Sequence, residues 1–142
     1  NGKAMSGVLI VVNGIAVVSI SARQHHVAVD SHSTEIYAAS LGTTMMIAVR
    51  EMLVEKGWPQ LHAAPAFIDS KSTLDVIESV NRLHRSLHLG RRVYLMRAAE
   101  AGGDCKFFTT PGEVNKADGL TKAILRAAYA ASVAYWHGTA NA

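Results

Sequence analysis

The sequence predicts a mixed α/β sheet with helices packed on it, and three observations carry that expectation. "VVNGIAVV" sets Asn13 and Gly14 between two β-branched runs, which suits a two-residue hairpin turn because both central positions need positive φ. A long stretch rich in Ala, Leu, Met and Ile follows, from about Thr34 to Lys56. Two short apolar runs, "APAFID" and "CKFFTT", are too brief for helices and are separated by segments with apolar residues at helical spacing.

Taken in order, residues 7 to 21 read as two antiparallel strands. The stretch from Thr34 to Lys56 has Ile36, Thr43, Ile47 and Arg50 on one side and Leu41, Met45, Ala48 and Met52 on another, which predicts a helix buried almost all round. Gly57 stands where a helix is usually closed. "APAFID" reads as an interior strand, and "KSTLDVIESV" as a short helix through Leu74, Ile77 and Val80. Residues 84 to 101 read as a helix with a basic face, "CKFFTT" as a strand, "PGEVN" as a turn and "KADGLTKAILRAAYAASVAYW" as a final helix. No linker or repeat divides the chain, so residues 1 to 142 are expected to form one domain around one core.

Composition narrows the function classes. With 49% hydrophobic and 18% charged residues, the chain has the makeup of a packed interior rather than of disorder. A net charge of +3 and a pI near 9.2 suit a polyanionic partner without demanding one. The single cysteine, Cys105, excludes an internal disulfide or a cysteine-rich zinc site and points to an intracellular setting. The seven histidines show no zinc-ligand spacing, and Trp58 and Trp136 read as packing residues. "GVLIVVNGIAVVSI" is interrupted by Asn13 and Gly14 and falls short of the ~20 residues a membrane helix needs.

Three acids stand at telling places, each with an ordinary structural explanation. Glu35 falls at the start of the long helix, where the dipole favours a carboxylate. Asp69 ends the "APAFID" strand and could bond the amides of "SKS" as an Asx turn or a helix cap. Asp118 follows Asn115 by three residues, as in a capping box. Convergence is what these separate explanations leave out: a helix start, a strand end and a last-helix start can share one edge of an α/β sheet, where such proteins place their sites. Like charges brought together there call for a hard cation with oxygen ligands, Mg²⁺ above all.

These residues sit in a familiar series of motifs. "KAMSGVLIVVNG", "VSISARQHHVAVDSHSTEIYAAS", "AFIDSKST", "RSLHLGRRVYLMR" and "VNKADGLTKAI" follow one another in the order and separation of the ribonuclease H domain that closes copia-type retrotransposon polyproteins. The chain resembles that family from about Lys3 to Ala123, and residues 124 to 142 read as a helical extension beyond the match. The resemblance implies an RNase H-like fold and hydrolysis of the RNA strand of RNA/DNA hybrids by two Mg²⁺ ions, with Mn²⁺ as a substitute. It places catalytic, metal-binding carboxylates at Glu35, Asp69 and Asp118. It makes Arg85, Arg91, Arg92 and Arg97 candidates for hybrid binding, and aligns a family histidine with His88, which reads as structural here.

The family's first catalytic aspartate lies on a strand before the "SG" segment, and no acid of this chain precedes Asp30. That strand is central in the family's fold, between the hairpin and the strand of Asp69. The expectation is therefore a segment of a longer reverse transcriptase polyprotein, or a decayed copy of one, lacking its central strand and having little or no nuclease activity alone. Its expected partners are an RNA/DNA hybrid and the rest of the polyprotein, with no membrane, in cytoplasm, virus-like particle or nucleus. The alternative is an RNase H-like binding or scaffolding module that has lost catalysis.

Overall fold

The computed structural model describes residues 4–24, 31–79, 89–121 and 133–135. Their order is β1 (Met5–Val12), β2 (Ile15–Arg23), α1 (Ser31–Glu55), β3 (Ala64–Ile68), α2 (Lys71–Glu78), α3 (Gly90–Ala101) and β4 (Cys105–Thr109), with 3₁₀ turns at Gly112–Val114 and Asp118–Leu120. The chain is thus mixed α/β, as its sequence predicts. Asn13 and Gly14 both hold positive φ, 50° and 82°, so the β1–β2 turn is of the type whose twist matches its strands. The ladder runs from Met5 opposite Arg23 to Val12 opposite Ile15, with a bulge at Ile10/Val11. α1 ends in a pair of bonds, Trp58 N–H to the Leu53 carbonyl and Gly57 N–H to the Val54 carbonyl, both at 2.9 Å. This is the Schellman pattern that the position of Gly57 suggests.

A single sheet does not form among the described residues. β1 pairs only with β2, antiparallel, and β3 only with β4, parallel, giving two separate two-stranded sheets. "APAFID" is consequently not an interior strand, and Phe67 is 63% exposed. α1 departs from expectation in a related way. Ile36 and Thr43 are buried but Ala48 and Met52 face solvent, because the described elements packed on α1, namely β1, α2 and α3, do not cover that side. Trp58, expected to pack, is 64% exposed. α3 starts at Gly90, and the expected part of that helix from residue 84 to 88 lies outside the described residues. The start of the expected last helix is the 3₁₀ turn Asp118–Leu120; beyond Thr121 only residues 133–135 of it are described, and these are helical.

The core lies where the three helices meet β4. Ile36 from α1, Val76 and Ile77 from α2, Val93, Met96 and Ala99 from α3, and Cys105 and Phe107 from β4 form one buried cluster with Leu89. Burial pushes the Cys105 thiol up to about 11, with the charges of Glu100 and Asp104 adding and Arg50 opposing. The unfolded chain then releases this proton first, near the ordinary value of 9.0, so stability falls as pH rises from 9.0 toward 11. Urea midpoints at pH 8 and 10.5 should therefore diverge less in Cys105→Ala than in the parent chain. A thiol reagent should label Cys105 only as the protein unfolds.

Candidate functional site

Glu35, Asp69 and Asp118 come from three elements far apart in sequence, and all three line one cavity of about 1700 Å³. Its side walls are β1 and β3. Its floor is the face of α1 that carries Thr34, Ala38, Gly42, Met46, Val49 and Leu53, residues three or four apart and so on one side of the helix.

Contacts along α1 orient the cavity. Gln24 donates through Nε2 to Ser6 Oγ at 2.8 Å and to the Thr34 carbonyl at 3.0 Å, which ties the start of α1 to the start of β1. Midway, a Cβ built on Gly42 would lie 3.7 Å from Val8 Cγ1, so helix and strand stay in close contact. Toward the other end Arg50 donates to the His62 carbonyl at 3.0 Å, just before β3 begins. β1 therefore runs alongside α1 in the same direction, and β3 returns in the opposite one. The last residues of β3 and the first residues of β1 share an end of the cavity, and the acids stand there.

None of the three acids keeps the ordinary explanation its sequence position offers. α1 begins at Ser31, earlier than expected, so Glu35 lies past the first turn, which holds no acid. Glu35 is half-buried, and Thr73 Oγ1 donates to its Oε2 at 3.4 Å. Asp69 is exposed and does not cap α2. Ser70 does: its hydroxyl accepts from Thr73 N–H at 3.2 Å and lies 3.0 Å from Ser72 Oγ. Ser72 in turn meets His32 Nδ1 at 3.1 Å. The hydroxyls of Ser70 and Ser72 and the ring of His32 thus link the starts of α1 and α2. The run "DSKST" is the signal for it in the sequence, with Ser70 rather than Asp69 as the cap. Asp118 begins its own 3₁₀ turn instead of standing third in an α-helix. Asn115 Oδ1 accepts from Ala117 N–H at 3.0 Å, forming an Asx turn ahead of it.

Gly7 determines how closely Asp118 approaches. A Cβ on Gly7 would lie 2.7 Å from Thr121 Cγ2, 2.9 Å from the Ala117 carbonyl oxygen and 3.1 Å from Leu120 Cβ. Only a residue without a side chain lets the Asp118–Leu120 turn rest on β1, and Ser21 Oγ, opposite Gly7 on β2, also donates to the Leu120 carbonyl. Gly7→Ala should displace this turn and destabilise the fold by about 1 to 3 kcal/mol, read by urea denaturation. It should also move the Asp118 backbone resonances more than those of Glu35.

The expected substrate arginines separate into different roles. Arg97 donates from Nε to the Ile77 carbonyl at 2.9 Å and from Nη2 to the Val76 and Ser79 carbonyls, each at 2.7 Å, closing the end of α2. Arg92 lies 4.0 Å over the Tyr37 ring and donates to Ser40 Oγ at 2.9 Å, joining α3 to α1. Arg91 is exposed at the start of α3. Arg85, His88 and Asp30 lie outside the described residues.

Three carboxylates are the right donor type for a hard divalent cation. They are not drawn together as a ligand cluster: among the described residues, no group of three or more His, Cys, Asp or Glu side chains is placed to hold a metal ion. No known protein family, curated protein or solved structure matches the chain. Also among the described residues, no helix is long and apolar enough to cross a membrane.

Proposed function

We propose that this chain is the ribonuclease H domain of a copia-type reverse transcriptase polyprotein, acting on the RNA strand of RNA/DNA hybrids. One observation carries the reading: Glu35, Asp69 and Asp118, the acids singled out by motif order, line the same end of one cavity although they come from a helix, a strand end and a 3₁₀ turn. That Asp69 is not the cap of α2 adds support, since the neighbouring Ser70 already does that work.

Glu35, Asp69 and Asp118 are the residues that would hold Mg²⁺, and such ions would supply activation of water and compensation of negative charge at the phosphate. The chain's own contribution is positioning. Thr73 holds one oxygen of Glu35, the Asn115 turn and Gly7 set the place of Asp118, and the Ser70 cap fixes the backbone that carries Asp69. Exposed Arg91 is available for a phosphate contact, which gives affinity without base reading.

The test is Mg²⁺-dependent cleavage of an end-labelled RNA/DNA hybrid by residues 1–142 and by a version extended upstream with an aspartate-bearing strand. Little or no cleavage by the first and clear cleavage by the second is the expected result. Robust cleavage by residues 1–142 that survives Asp69→Asn would remove the site assignment. Tight hybrid binding by both, with cleavage by neither, would establish the non-catalytic binding module instead.

A further inference from the structure

The face of the β3–β4 sheet that turns away from the core is built unlike an ordinary solvent face. Side chains alternate along each strand, so Ala66, Ile68, Cys105 and Phe107 point to the core beneath the helices. Pro65, Phe67, Lys106 and Phe108 take the opposite face, and all four are exposed. The register sets them in two rows, Pro65 opposite Lys106 and Phe67 opposite Phe108. The two rings stand with centroids 5.8 Å apart and planes 33° from parallel, and Lys106 Nζ lies 5.8 Å from the centre of the Phe108 ring. Among the described residues, Lys106 pairs with no carboxylate. Phe67 is 63% and Phe108 40% exposed, which leaves apolar ring surface in water that a ligand would cover favourably.

Size and charge limit what covers this face. Two five-residue strands make a strip about 17 Å long and two strands wide. A stable protein interface needs about 800 Å² on each side and keeps lysine out of its centre. The strip offers far less area, with a lysine in its midst. A nucleobase needs only the area of one ring, and every base has a face that stacks on an aromatic side chain. The lysine beside the ring then meets a phosphate of the same strand, as suits a chain of net charge +3. Bases inside a duplex already stack on one another and show only their edges in the grooves, so two open rings take unpaired bases. From this face we infer that β3 and β4 carry a stacking platform for single-stranded nucleic acid, in which Phe67 and Phe108 each take a base and Lys106 takes a phosphate. The side chains of Pro65, Phe67, Lys106 and Phe108 bring no hydrogen-bonding group besides the ammonium, so the platform distinguishes neither base identity nor ribose from deoxyribose. Phe67 stands two residues before Asp69, which places a bound single strand next to the candidate site. The inference rests on the sheet face alone and would stand if the nuclease reading failed.

The probe is a fluorescein-labelled thymidine dodecanucleotide titrated with residues 1–142 and read by anisotropy, beside a uridine dodecanucleotide and a blunt DNA duplex of the same length. The two single strands should bind within ~3-fold of each other and at least ~10-fold more tightly than the duplex. Phe67→Ala and Phe108→Ala should each weaken single-strand binding about 10-fold. Phe108→Leu decides the mode of contact: it keeps apolar bulk and loses the ring, so it should weaken binding as Ala does. Phe108→Trp should keep the affinity, and its added emission should be quenched by the bound strand. Lys106→Gln should lower the logarithmic salt dependence by about 0.7, the value of one phosphate contact on a single strand. All three side chains are exposed, so the urea midpoints of these variants should match the parent's. Full affinity in the double variant Phe67→Leu with Phe108→Leu overturns the proposal, as does equal affinity for the duplex or no binding of the single strands at low salt. So does a dimer of residues 1–142, seen by light scattering, that the double variant dissolves, since the face would then join two copies of the chain. None of these readouts involves hybrid cleavage, so failure here is distinguishable from failure of the nuclease reading.

Discussion

In the upstream-extended protein, Glu35→Gln, Asp69→Asn and Asp118→Asn are each expected to lower hybrid cleavage at least ~100-fold, the scale seen when one preorganised electrostatic group is removed from a reacting centre. The stability of the same variants separates a site role from a structural one. Gln at position 35 still offers an oxygen to Thr73 Oγ1, so its folding free energy should change by less than about 1 kcal/mol. Asn at position 69 leaves the Ser70 cap untouched, and its midpoint in urea should match the parent's. Ser70→Ala is the counterpart: it removes the cap and should cost about 1 kcal/mol. Cleavage in Ser70→Ala should fall far less than in Asp69→Asn. Equal loss of stability in Asp69→Asn and Ser70→Ala, with cleavage kept in both, would return Asp69 to the role of a turn residue.

Much of this arrangement is legible in the sequence where local chemistry decides it. Asn13-Gly14 specifies its hairpin because few other residues accept positive φ, and Gly57 closes α1 for a similar local reason. The separation into two sheets is not legible, because strand pairing between distant segments leaves no local mark: "APAFID" reads as interior whether or not a neighbour lies beside it. The burial of α1 shows the same limit. Met52 and Ala48 are apolar, yet what covers a helix face is set by the other elements, and among the described residues none does. Gly7 did carry a signal, being a glycine directly ahead of the apolar run Val8–Val12 and within the same strand, where close approach of another backbone is a usual cause. The arginines of α3 show why type and spacing alone do not assign a role. A basic face suits phosphate, but the geometry directs Arg97 to the carbonyls of α2 and Arg92 to the ring of Tyr37.

Arg97→Ala is expected to destabilise the fold by about 3 kcal/mol, the largest effect of any arginine substitution here. α2 has eight residues, too few to be stable as a helix in water without tertiary support. Its last carbonyls have no partners within the helix, and one half-buried guanidinium takes those of Val76, Ile77 and Ser79. Each bond involves a charged donor and is worth about 1.5 to 3 kcal/mol singly, but the three share one side chain and do not add in full. A cation at this end of the helix also meets the negative pole of its dipole. Arg97→Lys keeps the charge and loses the fork, so it should recover only about a third of the loss. Arg91→Ala should behave oppositely. Exposed at the start of α3, it should leave the urea midpoint unchanged while weakening hybrid binding and lowering the salt dependence by about one counterion. Because α2 starts at the Ser70 cap next to Asp69, loosening its far end should also let that acid drift, so cleavage by the extended protein should fall in Arg97→Ala even at temperatures where the protein remains folded. If Arg97→Lys instead kept full stability and lost hybrid affinity as Arg91→Ala does, the guanidinium would have to leave α2 for the substrate, and the end of α2 would need another partner.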